Sequence, residues 1–133
     1  KTKVVVFQCP ARFTQGGRGD LCSGGSFRTL ERGDFLFVWE PRGDWSGEVI
    51  KSLCQELALI HCVDPFEGKP TLWGKPRYFR LHGGPGYRHQ YSDKELEWLA
   101  ELAAEEGSYF LFNNITMYDD ALRFEEIVKK KWR

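Results

Sequence analysis

Five short apolar runs, VVVFQ (4–8), FLFVW (35–39), LIHCV (59–63), YFRLH (78–82) and YFLFN (109–113), restrict this chain more than any other feature. Each has strand length and is rich in β-branched or aromatic residues, and none shows the strict in-out alternation of a sheet with one wet face. Strands buried on both faces read this way, and they belong to parallel sheets covered by helices. Helical patterns occupy the intervals. Val49, Ile50, Leu53, Cys54 and Leu57 form one stripe, and Leu96, Leu99, Ala100 and Ala103 form another at i, i+3, i+4, i+7 spacing. Ser92 with Glu95 three residues later makes a capping box before the second stripe, and Gly107 is placed to end it. A last helix, from about 118 to 130, carries Met117, Ala121, Phe124 and Val128 on one side and closes on the cationic KKKWR, which suits a helix C-terminus.

The runs begin 31, 24, 19 and 31 residues apart. Strands and helices alternating at that spacing predict successive right-handed βαβ units: an α/β fold of parallel (β/α) units in a single domain over 1–133. One link departs from the pattern, since residues 64–76 hold three prolines and two glycines and are expected to cross without a full helix. The Gly-rich segment 14–26 stands where the first helix ought to be and is atypical.

Lysine plus arginine and aspartate plus glutamate number 19 each, so the basic excess expected of a chain that grips phosphate backbones is absent and nucleic acid is not an expected partner. No apolar run approaches the roughly 20 residues of a membrane span and no signal segment opens the chain, so the expected location is cytoplasmic, away from membranes. Cys9, Cys22, Cys54 and Cys62 form no C-x-x-C pair, and three of them sit in apolar segments, so buried free thiols are expected rather than disulfides or metal ligands. The sequence starts at Lys1 and its only methionine is Met117, as a fragment would.

The polar residues gather at one end of the strands. Gln8, then Glu40 and Arg42, then Asp64, then Arg80 and His82, then Asn113 and Asn114 follow or close the five runs. In parallel α/β folds ligands bind at the carboxyl ends of the strands, where the βα loops and helix N-termini converge. Arg80 and His82 are two apart, so they share a strand face and one mouth. This predicts a small-molecule site with His82 and Glu40 as catalytic acid/base candidates and Gln8, Arg42, Asp64, Arg80 and Asn113 as ligand-binding groups. The arginines favour a polar or anionic ligand. Glu40, Asp64 and His82 are also ligand types that Mn²⁺, Mg²⁺ or Zn²⁺ take, so a divalent metal stays open as a cofactor. The glycines of HGGPGY (82–87) permit close approach of backbone N–H groups to an anion, and Tyr87, Tyr91, Trp45 and Trp73 are candidates to line the mouth. The competing reading is a buried ion-pair layer, Glu40 with Arg80 or Asp64 with Arg42, that performs no chemistry and belongs to a non-catalytic binding or assembly module.

Taken in order, VVVFQCPARF, FVWEPRGDW, CVDPF, YFRLHGGPGYRHQYSDKELEWLAEL and YFLFNNITMYDDALRF resemble the second half of the domain of unknown function 72 family. The resemblance covers residues 1–13 and about 27–133 and implies a partial TIM-barrel-like fold of about five strands. It implies no reaction, since the family has none established beyond a loose fold-level likeness to sugar isomerase barrels. The family's motif residues fall on Gln8, Glu40, Arg42, Asp64, Arg80, His82 and Asn113, the set that the strand ends supply. Two departures stand out: the family's first half, with about three more strands, has no counterpart here, and 14–26 lacks the usual helix. A truncated or frame-shifted gene would produce both, and an intact genomic frame with no upstream half would exclude that origin. Five parallel strands cannot close an eight-strand barrel, so a homo-oligomer such as a dimer, a missing N-terminal half as partner, or a partly open sheet is expected.

Overall fold

The computed structural model describes residues 3–11, 25–104 and 107–133. Their order is β1 (Val4–Gln8), α1 (Gly25–Thr29), β2 (Leu36–Glu40), α2 (Gly47–Glu56), β3 (Leu59–His61), β4 (Arg77–Leu81), α3 (Asp93–Ala100), β5 (Ser108–Phe112) and α4 (Met117–Lys131). The fold is mixed α/β with parallel strands in two small sheets, β1-β2-β3 and β4-β5. The strand expected over 59–63 is regular only to His61, but it continues far enough for Val63 to bridge Phe79 in parallel, and Arg80 N–H donates to the Val63 carbonyl at 3.1 Å. No barrel closes: among the described residues β1 pairs only with β2 and β5 only with β4.

The non-alternating runs are explained by apolar packing on both faces. On one face Val38, Ile60, Cys62 and Tyr78 are buried together, with Val4, Val6, Tyr109 and Leu111 against them. On the other face, Phe37, Trp39 and Leu59 pack with Ile50 and Cys54 of α2. There too Leu81 packs with Leu96, Leu99 and Phe124 of α3 and α4. Burying each such large side chain stabilises the fold by about 1.5–3 kcal/mol. Alternate positions follow the pleat, so the face that carries Val38, Cys62 and Tyr78 also carries the residues two further on, Glu40, Asp64 and Arg80.

The helix starts form where the side chains supply caps. Ser46 Oγ accepts from Val49 N–H at 3.3 Å, and Ser92 with Glu95 forms the expected capping box, Ser92 N–H donating to Glu95 Oε2 at 2.7 Å. The end of α3 departs from expectation. The helix stops at Ala100, short of Ala103, and Gly107 is not its cap; with φ +97° it instead leads directly into β5. Regular structure also differs after β1, where α1 occupies Gly25–Thr29; residues 14–24 of the atypical Gly-rich segment lie outside the described residues. The link 64–76 carries no full helix, as its prolines predict. On α4, Phe124 is buried and Val128 packs beside it as expected, whereas Met117 is exposed and a carboxylate, Asp120, is fully buried.

Cys54 and Cys62 are buried free thiols, as expected. Cys9 corrects that expectation, being disulfide-bonded, and its Sγ also accepts from Trp39 Nε1 at 3.2 Å. No helix among the described residues is long and apolar enough to cross a membrane.

Candidate functional site

Glu40 closes β2 on the face of Val38, and its two partners come from β4 and the residue that follows it. Arg80 Nη1 donates to Glu40 Oε2 at 2.5 Å, and His82 Nε2 lies 3.0 Å from Glu40 Oε1. The pair is nearly dry: the Glu40 and Arg80 side chains are 7% and 18% exposed. At that burial, bare charges would be costly and hydrogen-bonded opposite charges persist. Of the two ion pairs the sequence offered, Glu40–Arg80 forms and Asp64–Arg42 does not. Asp64 turns to backbone instead: its Oδ2 accepts from His82 N–H at 2.7 Å and its Oδ1 from Phe66 N–H at 3.0 Å. Asp64 therefore fixes the start of the turn that follows β4 and the turn that follows β3.

His82 extends the face of Arg80 by two residues, so its ring stands over Glu40. The Nδ1 atom is sealed from solvent and has no hydrogen-bond partner among the described residues. A buried polar atom left without a partner costs about 1–3 kcal/mol, and such atoms are retained in few places.

These groups border a cleft of about 630 Å³ at the carboxyl ends of β2 and β3, lined by Glu40, Arg42, Trp45, His61, Asp64 and His82 among others. Arg42 is exposed at its rim, with no ion pair among the described residues. Arg80 lies behind Glu40 and does not line the cleft. Gln8 is exposed and stands in register beside Glu40, and Asn113 is exposed after β5 with its N–H on the Leu81 carbonyl at 2.8 Å; neither lines the cleft. The strand-end pattern thus brings four of the seven predicted residues, Glu40, Arg42, Asp64 and His82, to one cleft. No group of three or more His, Cys, Asp or Glu among the described residues is arranged to hold a metal ion. The potential cation ligands Glu40 and Asp64 already carry the contacts given above.

Three of the amides in the glycine turn are spent within the protein. His82 N–H is taken by Asp64, Gly83 N–H donates to Tyr91 Oη at 2.9 Å, and Tyr87 N–H returns to the Gly84 carbonyl at 3.1 Å. Glycine is required at 83 for another reason. Its φ is +74°, and a Cβ there would lie 2.5 Å from Asn114 Cβ. Of the aromatic candidates, Trp45 lines the cleft, Tyr91 is buried beneath the turn, and Tyr87 is exposed with its ring 6.0 Å from that of His82. Trp73 lies under Arg77, whose guanidinium is 4.3 Å from the ring centroid, and it does not line the cleft.

Three functional or supporting features have no counterpart in the sequence prediction. Asp120 Oδ2 accepts from Asn114 Nδ2 at 2.6 Å, Thr116 Oγ1 at 2.8 Å and Tyr91 N–H at 3.2 Å, while its Oδ1 accepts from Arg123 Nη1 at 3.0 Å. This network ties the turn after β4 to the start of α4. Glu67 is exposed on the cleft wall, and its carboxylate has no partner among the described residues. His61 lines the cleft although only 7% of the residue is exposed, and burial lowers its pKa from 6.5 to about 4. A single imidazole inside LIHCV was its only signal, and an interior strand position concealed it. Comparison of the chain with protein-family models, curated proteins and solved structures finds no match.

Proposed function

We propose that the cleft at the carboxyl ends of the strands binds a small polar molecule, sugar-like or anionic. In this reading His82 is the acid/base group, Glu40 orients it, and Arg42 is the cation that meets the ligand. The observation that carries the proposal is the His82 imidazole, anchored through Nε2 at 3.0 Å from the Glu40 carboxylate and left with Nδ1 sealed and unpartnered. Among the described residues only one other buried side-chain atom, Asn114 Oδ1, is left in that state. Arg80 holds the carboxylate in place in this scheme, so its role passes from anion clamp to positioning residue.

The partial TIM-barrel-like architecture and the likeness to the domain of unknown function 72 family belong to the same proposal. Support comes from the parallel order of the strands and from the polar ends on one face. The open edges of β1 and β5 suit association with a second copy or with a partner half.

A thermal-shift series on the chain beside His82→Ala tests the site. A rise in the midpoint with a sugar phosphate or a divalent ion that the variant loses supports the proposal. A specific observation favours the rival of a binding or assembly module: Glu40, Arg80 and Asp64 are already hydrogen-bonded within the protein. Under that rival no probe moves the midpoint, and the variant is merely less stable.

A further inference from the structure

His61 is held by an unusual local contact. The backbone N–H of Thr71 donates to His61 Nδ1 at 3.2 Å. An Nδ1 that accepts must carry a lone pair, so the neutral ring bears its proton on Nε2. Protonating Nδ1 would turn two donors toward each other, and burial already opposes a charged ring. Among the described residues the Nε2–H has no hydrogen-bond partner, nor is it among the sealed, unsatisfied side-chain atoms, which are His82 Nδ1 and Asn114 Oδ1. It is therefore a donor that opens on the cleft His61 lines.

The charges around it argue about the ligand. Among the described residues, Glu40, Asp64 and Glu67 line the cleft against one cation, Arg42, and Arg80 behind Glu40 supplies one more. Carboxylates outnumber guanidiniums, so an anion meets net repulsion there. The groups left free, Arg42 and Glu67, balance each other. We infer that His61 is a fixed uncharged donor to the occupant of the cleft, and that this occupant is an uncharged polyhydroxylated molecule placing a hydroxyl or carbonyl oxygen on Nε2–H. The inference rests on the cleft being a ligand site and narrows its ligand class.

The test uses the full chain, the variant His61→Asn, and D-xylose and inorganic phosphate as probes. Asparagine puts Oδ1 where Nδ1 stood, keeping the Thr71 contact, and leaves no N–H at the Nε2 position. Long-range ¹H–¹⁵N spectra of the wild-type imidazole should show Nε2 protonated and Nδ1 bare, unchanged between about pH 8 and pH 5. D-xylose should shift the His61 and Arg42 signals, and His61→Asn should weaken that binding about two- to tenfold, the loss of one neutral hydrogen bond. Protonation on Nδ1, unchanged xylose affinity in the variant, or preference for phosphate over xylose would each overturn the inference while leaving the cleft a ligand site. Silence of every cleft signal with both probes would overturn the ligand site and the inference together. The wild-type spectra decide the tautomer even where the variant fails to fold.

Discussion

Removing both members of the Glu40–Arg80 pair should cost less than the two single removals added together. The two side chains are 7% and 18% exposed and meet at 2.5 Å. At an effective dielectric of about 20, unit charges about 4 Å apart attract by about 4 kcal/mol, and desolvation of the two ions opposes this by a similar amount. The intact pair is then close to neutral for stability, whereas a lone survivor is a buried charge without compensation. Glu40→Ala strands Arg80 and should destabilise by about 3–5 kcal/mol. Arg80→Ala should cost less, about 2–4 kcal/mol, because Glu40 keeps His82 at 3.0 Å. The double variant should fall short of the summed costs by about 2 kcal/mol. Urea unfolding followed by circular dichroism, with all four proteins at one pH, yields the cycle. Costs that add within about 0.5 kcal/mol would refute the reasoning, since groups that share a buried pair cannot behave as independent sites.

Protonation of His61 supplies a second test: its folded pKa of about 4 lies below the unfolded 6.5, so the stability it confers is complete above pH 6.5 and is lost as the pH falls toward 4. By about pH 5 the loss should be about 2 kcal/mol, and His61→Asn should flatten that part of the stability profile. Asp120→Ala removes the acceptor for Tyr91 N–H, Asn114, Thr116 and Arg123 and should cost about 3–5 kcal/mol in urea unfolding, with Asp120→Asn milder. An exposed-surface cost of a few tenths would contradict the network. Burial pushes the Cys54 thiol up to about 11 and also raises that of Cys62, where burial is the larger cause and Glu40 the next. Both free thiols should resist alkylation in the folded chain and react once urea unfolds it; rapid labelling of the native protein would refute their burial.

Local pattern made much of the fold legible in advance. Runs such as LIHCV and YFRLH announce strands buried on both faces, and the Ser92–Glu95 box announces α3, because strand burial and helix capping are decided by residues near one another in the chain. The polar endings at Glu40, Asp64 and Arg80 were visible for the same reason: strand period places them on the face of Val38, Cys62 and Tyr78 two positions earlier. Helix ends were less legible. Nothing local forced α3 to stop at Ala100, and Gly107 was free to serve β5 instead.

What tertiary structure alone decided is how the polar groups are spent. Glu40 and Arg80 lie 40 residues apart and Asp64 and His82 lie 18 apart, so sequence offers several pairings and only the packed strands choose among them. The parallel register draws Glu40 to Arg80 and His82, and the bend after β3 gives Asp64 to backbone amides rather than to Arg42. The same holds for His61 and Asp120, which composition would place at the surface. Each is buried because a distant partner satisfies it, Thr71 N–H for one and the Tyr91–Asn114–Arg123 set for the other. Apolar periodicity is a property of one segment and can be read there; satisfaction of a buried polar atom is a property of two segments and exists only once they meet.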